Sequence, residues 1–122
     1  MKILKCNKCG NVLLKLNDHC DGVFCCGEKM TELVPGAIEG AVEKHKPVFK
    51  EIDGEKYIVV GEVEHPMTEQ HYIEFVIIDF GKTQKIVYFE PGDKPMVKVC
   101  CDCDPVDVYA YCNLHGLWKM DK

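Results

Sequence analysis

The stretch that decides the fold is "KYIVVGEVEHPMTEQHYIEFVIIDF", residues 56–80. Both ends are short runs of β-branched and aromatic residues, the composition of strands rather than of helices. Between them, "EHPMTEQH" puts His65 and His71 into one connecting segment. The stretch therefore reads as two strands that carry a pair of imidazoles on their connection.

Working outward, the same composition recurs in "KPVFKEI" (46–52), "TQKIVYF" (83–89), "PMVKVC" (95–100) and "VDVYAYC" (106–112). The turn-forming stretches "IDGEK", "DFGKT" and "EPGDKP" separate several of these runs. Short strands punctuated by Gly and Pro indicate an antiparallel sandwich or barrel. No stretch shows convincing helical period, although "AIEGAVEKH" (37–45) could make a turn or two. There is no internal repeat, and neither "NKCGN" nor "IDGEK" has the strand-to-helix context of a phosphate-binding loop.

The 122 residues suffice for one ordinary domain, or for a domain of about 80–90 residues with a small appendage. A net charge of −5 without a basic cluster argues against nucleic acid and anionic membranes as partners. The start, "MKILKCNKCG", has no apolar core of a secretion signal, and no apolar run approaches a membrane span. The chain reads as soluble and cytoplasmic.

Nine cysteines are many for this length, and an odd number does not suit a closed disulfide framework. Metal binding explains them better. From Lys5 to Thr31 the chain is rich in Cys, Asn, Asp and Gly and cannot bury much core, so a metal would have to hold it together. "LVPGA" (33–37) is a plausible boundary. Before it, Cys6 and Cys9 form a C-x-x-C followed by Gly10, and Cys25 and Cys26 are adjacent and followed by Gly27. Four thiolates make a site for iron or zinc. The adjacent pair predicts a distorted tetrahedron, and a zinc knuckle that only holds the fold stands beside an iron electron-transfer centre. His19 and Cys20, between the two pairs, read as loop residues. A small segment of this kind also predicts a homodimer, because association supplies missing core.

Four of the five histidines lie beyond residue 44: His45 in "EKHKP", His65 and His71, and His115 in "CNLHGLW", three residues after Cys112. Singly, each would more often be a surface or core histidine than a ligand. Together, four neutral imidazoles and one thiolate supply five ligands and leave a sixth octahedral position open, a reactive arrangement for iron.

The segments "CNKCG", "CCGEKM", "EKHKP", "HPMTEQHYIE" and "YCNLHGLWK", in this order and spacing, resemble the desulfoferrodoxin family, the two-iron superoxide reductases. The resemblance spans essentially the whole chain. It implies an all-β protein: a small desulforedoxin-like four-cysteine iron domain over residues 1–36, then an immunoglobulin-like antiparallel β-sandwich over residues 37–122. It implies two iron ions. One would be held by Cys6, Cys9, Cys25 and Cys26, with zinc as the alternative occupant, and one by His45, His65, His71 and His115 with Cys112 axial. Glu43 matches the carboxylate that closes the sixth position of the ferric enzyme, and Lys44 matches the lysine beside the open position. The implied reaction is one-electron reduction of superoxide to hydrogen peroxide, with a rubredoxin-like donor returning the electron. The competing readings are a non-catalytic electron carrier and a zinc-stabilised binding module. One stretch departs from the family: "VCCDCD", with Cys100, Cys101 and Cys103, admits a third metal site, a redox pair or idle thiols, and idle or adventitiously reactive thiols are favoured because no His or further Cys cluster completes a four-ligand set nearby in sequence.

Overall fold

The computed structural model describes residues 1–100, 102 and 104–121. Their contacts divide the chain into two compact units, Met1–Val34 and Pro35–Lys122. Apart from one helical turn, the secondary structure consists of antiparallel strands, which agrees with the all-β reading.

In the first unit, β1 (Lys2–Lys5) lies between β2 (Val12–Lys15) and β5 (Thr31–Glu32), and β3 (Phe24–Cys25) pairs with β4 (Glu28–Lys29) as a hairpin. The core is small: Leu4, Cys6 and Met30, with Val23 and Cys25 packed against them. Cys25 pairs with Glu28, so Cys26 and Gly27 are the two central residues of the turn, at φ 55° and 76°. Positive φ at both positions is the twist-compatible hairpin turn, and Gly27 takes it without steric penalty. Cys26 does not, and its left-handed backbone costs about 1–2 kcal/mol. That turn is what lets two adjacent cysteines present sulfur to one point: one is a strand residue and the next turns the corner.

In the second unit, α1 is a single turn, Val42–His45, followed by β6 (Pro47–Ile52) and β7 (Glu55–Val60). Then come β8 (Ile73–Asp79), β9 (Gln84–Tyr88), β10 (Met96–Val99), β11 (Asp107–Cys112) and β12 (Gly116–Lys119). Two sheets form, in the orders β10-β7-β6 and β12-β11-β8-β9. Their facing residues make one core: Ile58 and Val60 from β7, Val97 and Val99 from β10, Ile73, Val76 and Ile78 from β8, Val108, Ala110 and Cys112 from β11, and Phe89. This is the antiparallel sandwich that the alternating runs predict, and every one of the six runs quoted above contains a strand.

The inward positions of β8 break the period of two, since Ile73 and Val76 both face the core. The cause is a register shift: Tyr111 pairs with Phe75, but Cys112 pairs with Ile73. The extra residue bulges β8 and re-aims the end of the β8–β11 ladder. Cys112, fully buried, terminates that ladder at one end of the sandwich.

Candidate metal centres

The first group of ligand atoms lies in the first unit. One ligand atom from each of Cys6, Cys9, Cys25 and Cys26 lies within 4.8 Å of all the others. Cys9 Sγ is 3.7 Å from Cys25 Sγ, which is 3.9 Å from Cys26 Sγ. The backbone N–H of Cys9 points at Cys6 Sγ from 3.5 Å, and that of Lys8 acts in the same sense. Hydrogen bonds to sulfur favour the thiolate, and they draw the Cys6 thiol down to about 6. Its neighbours respond in the opposite direction. Donation toward Cys6 holds Cys25 protonated, pushed up to about 12, and Cys26 is raised chiefly by its contact with Cys9. One sulfur poised to ionise beside others that resist is the signature of a crowd of thiols that a cation would relieve. His19 and Cys20 stay outside the group, on the loop before β3, as expected.

The second group is His45, His65, His71, Cys112 and His115, again with ligand atoms all within 4.8 Å. Local structure supplies each one. His45 closes α1, His65 and His71 sit on the connection from β7 to β8, Cys112 ends β11, and His115 sits in the turn to β12. The four rings form a closed circuit with centroid separations of 4.5 Å (His45–His65), 4.7 Å (His65–His71), 4.9 Å (His71–His115) and 4.6 Å (His115–His45). Consecutive rings stand 68–80° apart, while His45 and His71 face each other across the circuit at 6.2 Å and 28°. Cys112 Sγ is 3.8 Å from His115 Nδ1.

Whether these residues suit a metal can be judged from their hydrogen bonds. His45 Nδ1 donates to Ala41 O at 2.7 Å and His65 Nδ1 donates to Pro66 O at 2.6 Å. In a neutral ring this leaves Nε2 unprotonated, with its lone pair turned inward. His65 Nε2 and His71 Nε2 are buried without any hydrogen-bond partner, and His45 Nε2 faces His115 Nδ1 at 2.9 Å. Burial keeps these rings neutral: it lowers His45 and His71, and takes His65 down to about 4. A buried nitrogen with no partner is expensive, and a divalent cation at the point where these ring nitrogens converge would relieve that cost. Burial pushes the Cys112 thiol up, opposed by the N–H groups of Leu114 and His115, so a cation would be needed to make it a thiolate. The donor set fits iron, which accepts imidazole and thiolate together.

Neighbours hold the rings in place. The Trp118 indole stacks on His45 at 5.1 Å and 25°, and its N–H donates to His115 O at 3.0 Å. Gly61 N donates to Lys46 O and Val63 N donates to Glu43 O, both at 2.9 Å, which clamps α1 to the connection carrying His65. Lys44 is half-buried, and its charge contributes to the lowering of both His45 and His71. Glu43 is exposed and lies outside the ligand group. Trp118 and Gly61 went unread in the sequence, and Asn113 is legible there as the turn between Cys112 and His115 but not for its side-chain bonds. Only the proximity of Trp118 to Cys112 and His115 hinted at it. Cys100 is exposed and belongs to neither group, while Cys101 and Cys103 lie outside the described residues.

An antiparallel sandwich with four histidines and one cysteine converging at one end, preceded by a small unit with four converging cysteines, defines a two-centre non-haem metalloprotein. The family model described as desulfoferrodoxin matches residues 37–121. The chain is 38% identical over 120 residues to desulfoferrodoxin of Nitratidesulfovibrio vulgaris, covering 98% of this chain and 95% of that protein. It is equally similar, at 38% and the same coverage, to a desulfoferrodoxin homolog of Archaeoglobus fulgidus. The crystal structure of the superoxide reductase from Treponema pallidum superposes with a TM-score of 0.74 at 28% identity, covering 98% of this chain and 96% of that one. The protein belongs to the desulfoferrodoxin family.

Proposed function

We propose that this protein is a superoxide reductase, with His45, His65, His71, His115 and Cys112 holding the catalytic iron and Cys6, Cys9, Cys25 and Cys26 holding a second iron. The observation that carries this reading is the closed circuit of four imidazoles beside Cys112 Sγ, with His65 Nε2 and His71 Nε2 buried and lacking a hydrogen-bond partner among the described residues. Iron held by these residues would supply one electron to superoxide, which with two protons would leave as hydrogen peroxide. A rubredoxin-like donor would return the electron.

The protein's own groups prepare the anion's approach. Lys44, half-buried beside His45 and His71, places positive charge at the centre of a chain whose net charge is −5. It attracts superoxide locally where the protein as a whole would repel it. Glu43, adjacent and exposed, would be the carboxylate that closes the centre between turnovers. Residues 1–36 act as the electron-transfer domain and 37–122 as the catalytic domain, and the protein works as a homodimer. Titrating the metal-free chain with ferrous iron and recording the oxidised visible spectrum tests the ligand assignment. Cys112→Ser should abolish the thiolate-to-iron absorption of the catalytic centre and most superoxide reduction, leaving the four-cysteine absorption in place. A Cys112→Ser protein with unchanged spectrum and activity would remove Cys112 from the ligand set.

A further inference from the structure

Asn113 follows Cys112 directly and opens the turn that carries His115. Three hydrogen bonds tie it to the segment around His71, distant in sequence. Its backbone N–H donates to Tyr72 O at 3.2 Å, its side-chain Oδ1 accepts from Tyr72 N–H at 3.0 Å, and its Nδ2 donates to Gln70 O at 3.0 Å. These are the two residues on either side of His71. The register shift in β8–β11 leaves Cys112 opposite Ile73 as the last ladder pair. Beyond it, the side-chain amide of Asn113 stands in for a backbone and adds one more rung, which no strand residue could supply where the chain turns away.

Holding the rung has two consequences for the ligands. Gln70 and Tyr72 are fixed to the same residue, so the backbone of His71 is held relative to Cys112. The backbone N–H and C=O of His71 itself both meet Thr68 of the same loop. The rung also sets the orientation of the amide. With Nδ2 committed to Gln70 O and Oδ1 to Tyr72 N–H, the oxygen is the atom turned toward Cys112 Sγ, 4.0 Å away. Reversing the amide would bring like groups together on both arms, donor to donor and acceptor to acceptor. The sulfur is thus kept from gaining a third N–H donor besides those of Leu114 and His115.

We propose that Asn113 is a positioning residue for the histidine and cysteine centre: its amide fixes the distance between Cys112 and His71 and keeps an acceptor, not a donor, against the Cys112 sulfur. The proposal rests on the ligand assignment above. Groups that orient ligands from outside the coordination sphere commonly alter metal affinity by about tenfold to a hundredfold when removed.

Cobalt loading of the full-length protein tests it, because the Cys112 thiolate-to-cobalt absorption reports the environment of that sulfur without any turnover. The absorption of the four-cysteine site in the same chain serves as an internal reference. In Asn113→Ala, the Cys112-dependent band should shift and cobalt retention against a chelator should weaken by about tenfold or more, with the reference band unchanged. Asn113→Asp keeps the acceptor for Tyr72 N–H and loses the donor to Gln70 O, and it should fall between the two. A folded Asn113→Ala protein with the original band and retention overturns the proposal, and so does one that melts lower with no spectral change, since that is a purely structural role. If the alanine variant does not fold, the aspartate variant decides: a shifted band supports the proposal and an unshifted one overturns it. Absence of any Cys112-dependent band in the unsubstituted protein would refute the ligand assignment instead.

Discussion

Gly61→Ala should be among the most damaging single-methyl additions to this protein, and the structure gives the size of the effect. Gly61 is buried at φ 86°, and a Cβ built there would lie 2.5 Å from both Lys44 O and Val63 O. Gly92 is the matched control, at φ 93° and with nothing within 4 Å of its Cβ position. The left-handed backbone costs either alanine about 1–2 kcal/mol. At Gly61 the two carbonyls must also retreat, which disrupts the bonds from Gly61 N to Lys46 O and from Val63 N to Glu43 O. Each is worth about 1 kcal/mol, and more where a buried group is left unpaired, so the excess over Gly92→Ala is about 2–4 kcal/mol. For a domain of this size that corresponds to roughly 10–30 °C in melting temperature. Thermal melts of the two metal-free variants, followed by circular dichroism, measure the difference directly. Equal melting temperatures would refute the claim that close packing of α1 against this glycine seats Lys44 and His45.

Three further outcomes are expected. Lys44→Ala should slow the second-order reaction with superoxide and flatten its dependence on ionic strength, while iron stays bound; stopped-flow rates at two salt concentrations check this, and an unchanged salt slope would remove the steering role. Acidification should destabilise the metal-free protein between about pH 6.5 and 4, because the unfolded chain protonates its histidines near 6.5 while buried His65 resists until about 4. Carboxylates held low in the folded chain, such as Asp18, extend the loss below that window, and a urea midpoint that is flat between pH 6.5 and 4 would contradict the burial argument. Cys26→Ser should eliminate the four-cysteine absorption and leave superoxide reduction largely intact, since the two ligand groups lie in separate units.

Much of this architecture was legible in the sequence for identifiable reasons. The strand runs were readable because each carries its own β-branched and aromatic residues between turn formers. The ligands were readable because Cys and His are chemically distinctive and occur in short clusters around Cys6, Cys25, His65 and Cys112. What escaped was positional. The bulge that places Ile73 and Val76 on one face arises from pairing with β11, and nothing in "HYIEFVIIDF" marks it. The left-handed Cys26 is a residue rarely found in that conformation, made legible only by the hairpin around it. Asn113 and Trp118 act through partners 41 residues away in one case and through ring stacking in the other, and neither leaves a local pattern. Glu43 is legible as a closing carboxylate only through the family resemblance, which matches it to that role. The structure brings the histidines together without it.

The histidine and cysteine centre is expected to reduce superoxide rather than to dismutate it or merely to carry electrons. The most direct test mixes the iron-loaded, pre-reduced protein with a pulse of superoxide and measures peroxide and oxygen together. A reductase forms one hydrogen peroxide for each superoxide consumed, oxidises one iron each time and releases no oxygen. Release of oxygen with half an equivalent of peroxide, or superoxide decay no faster than in buffer, would contradict the account.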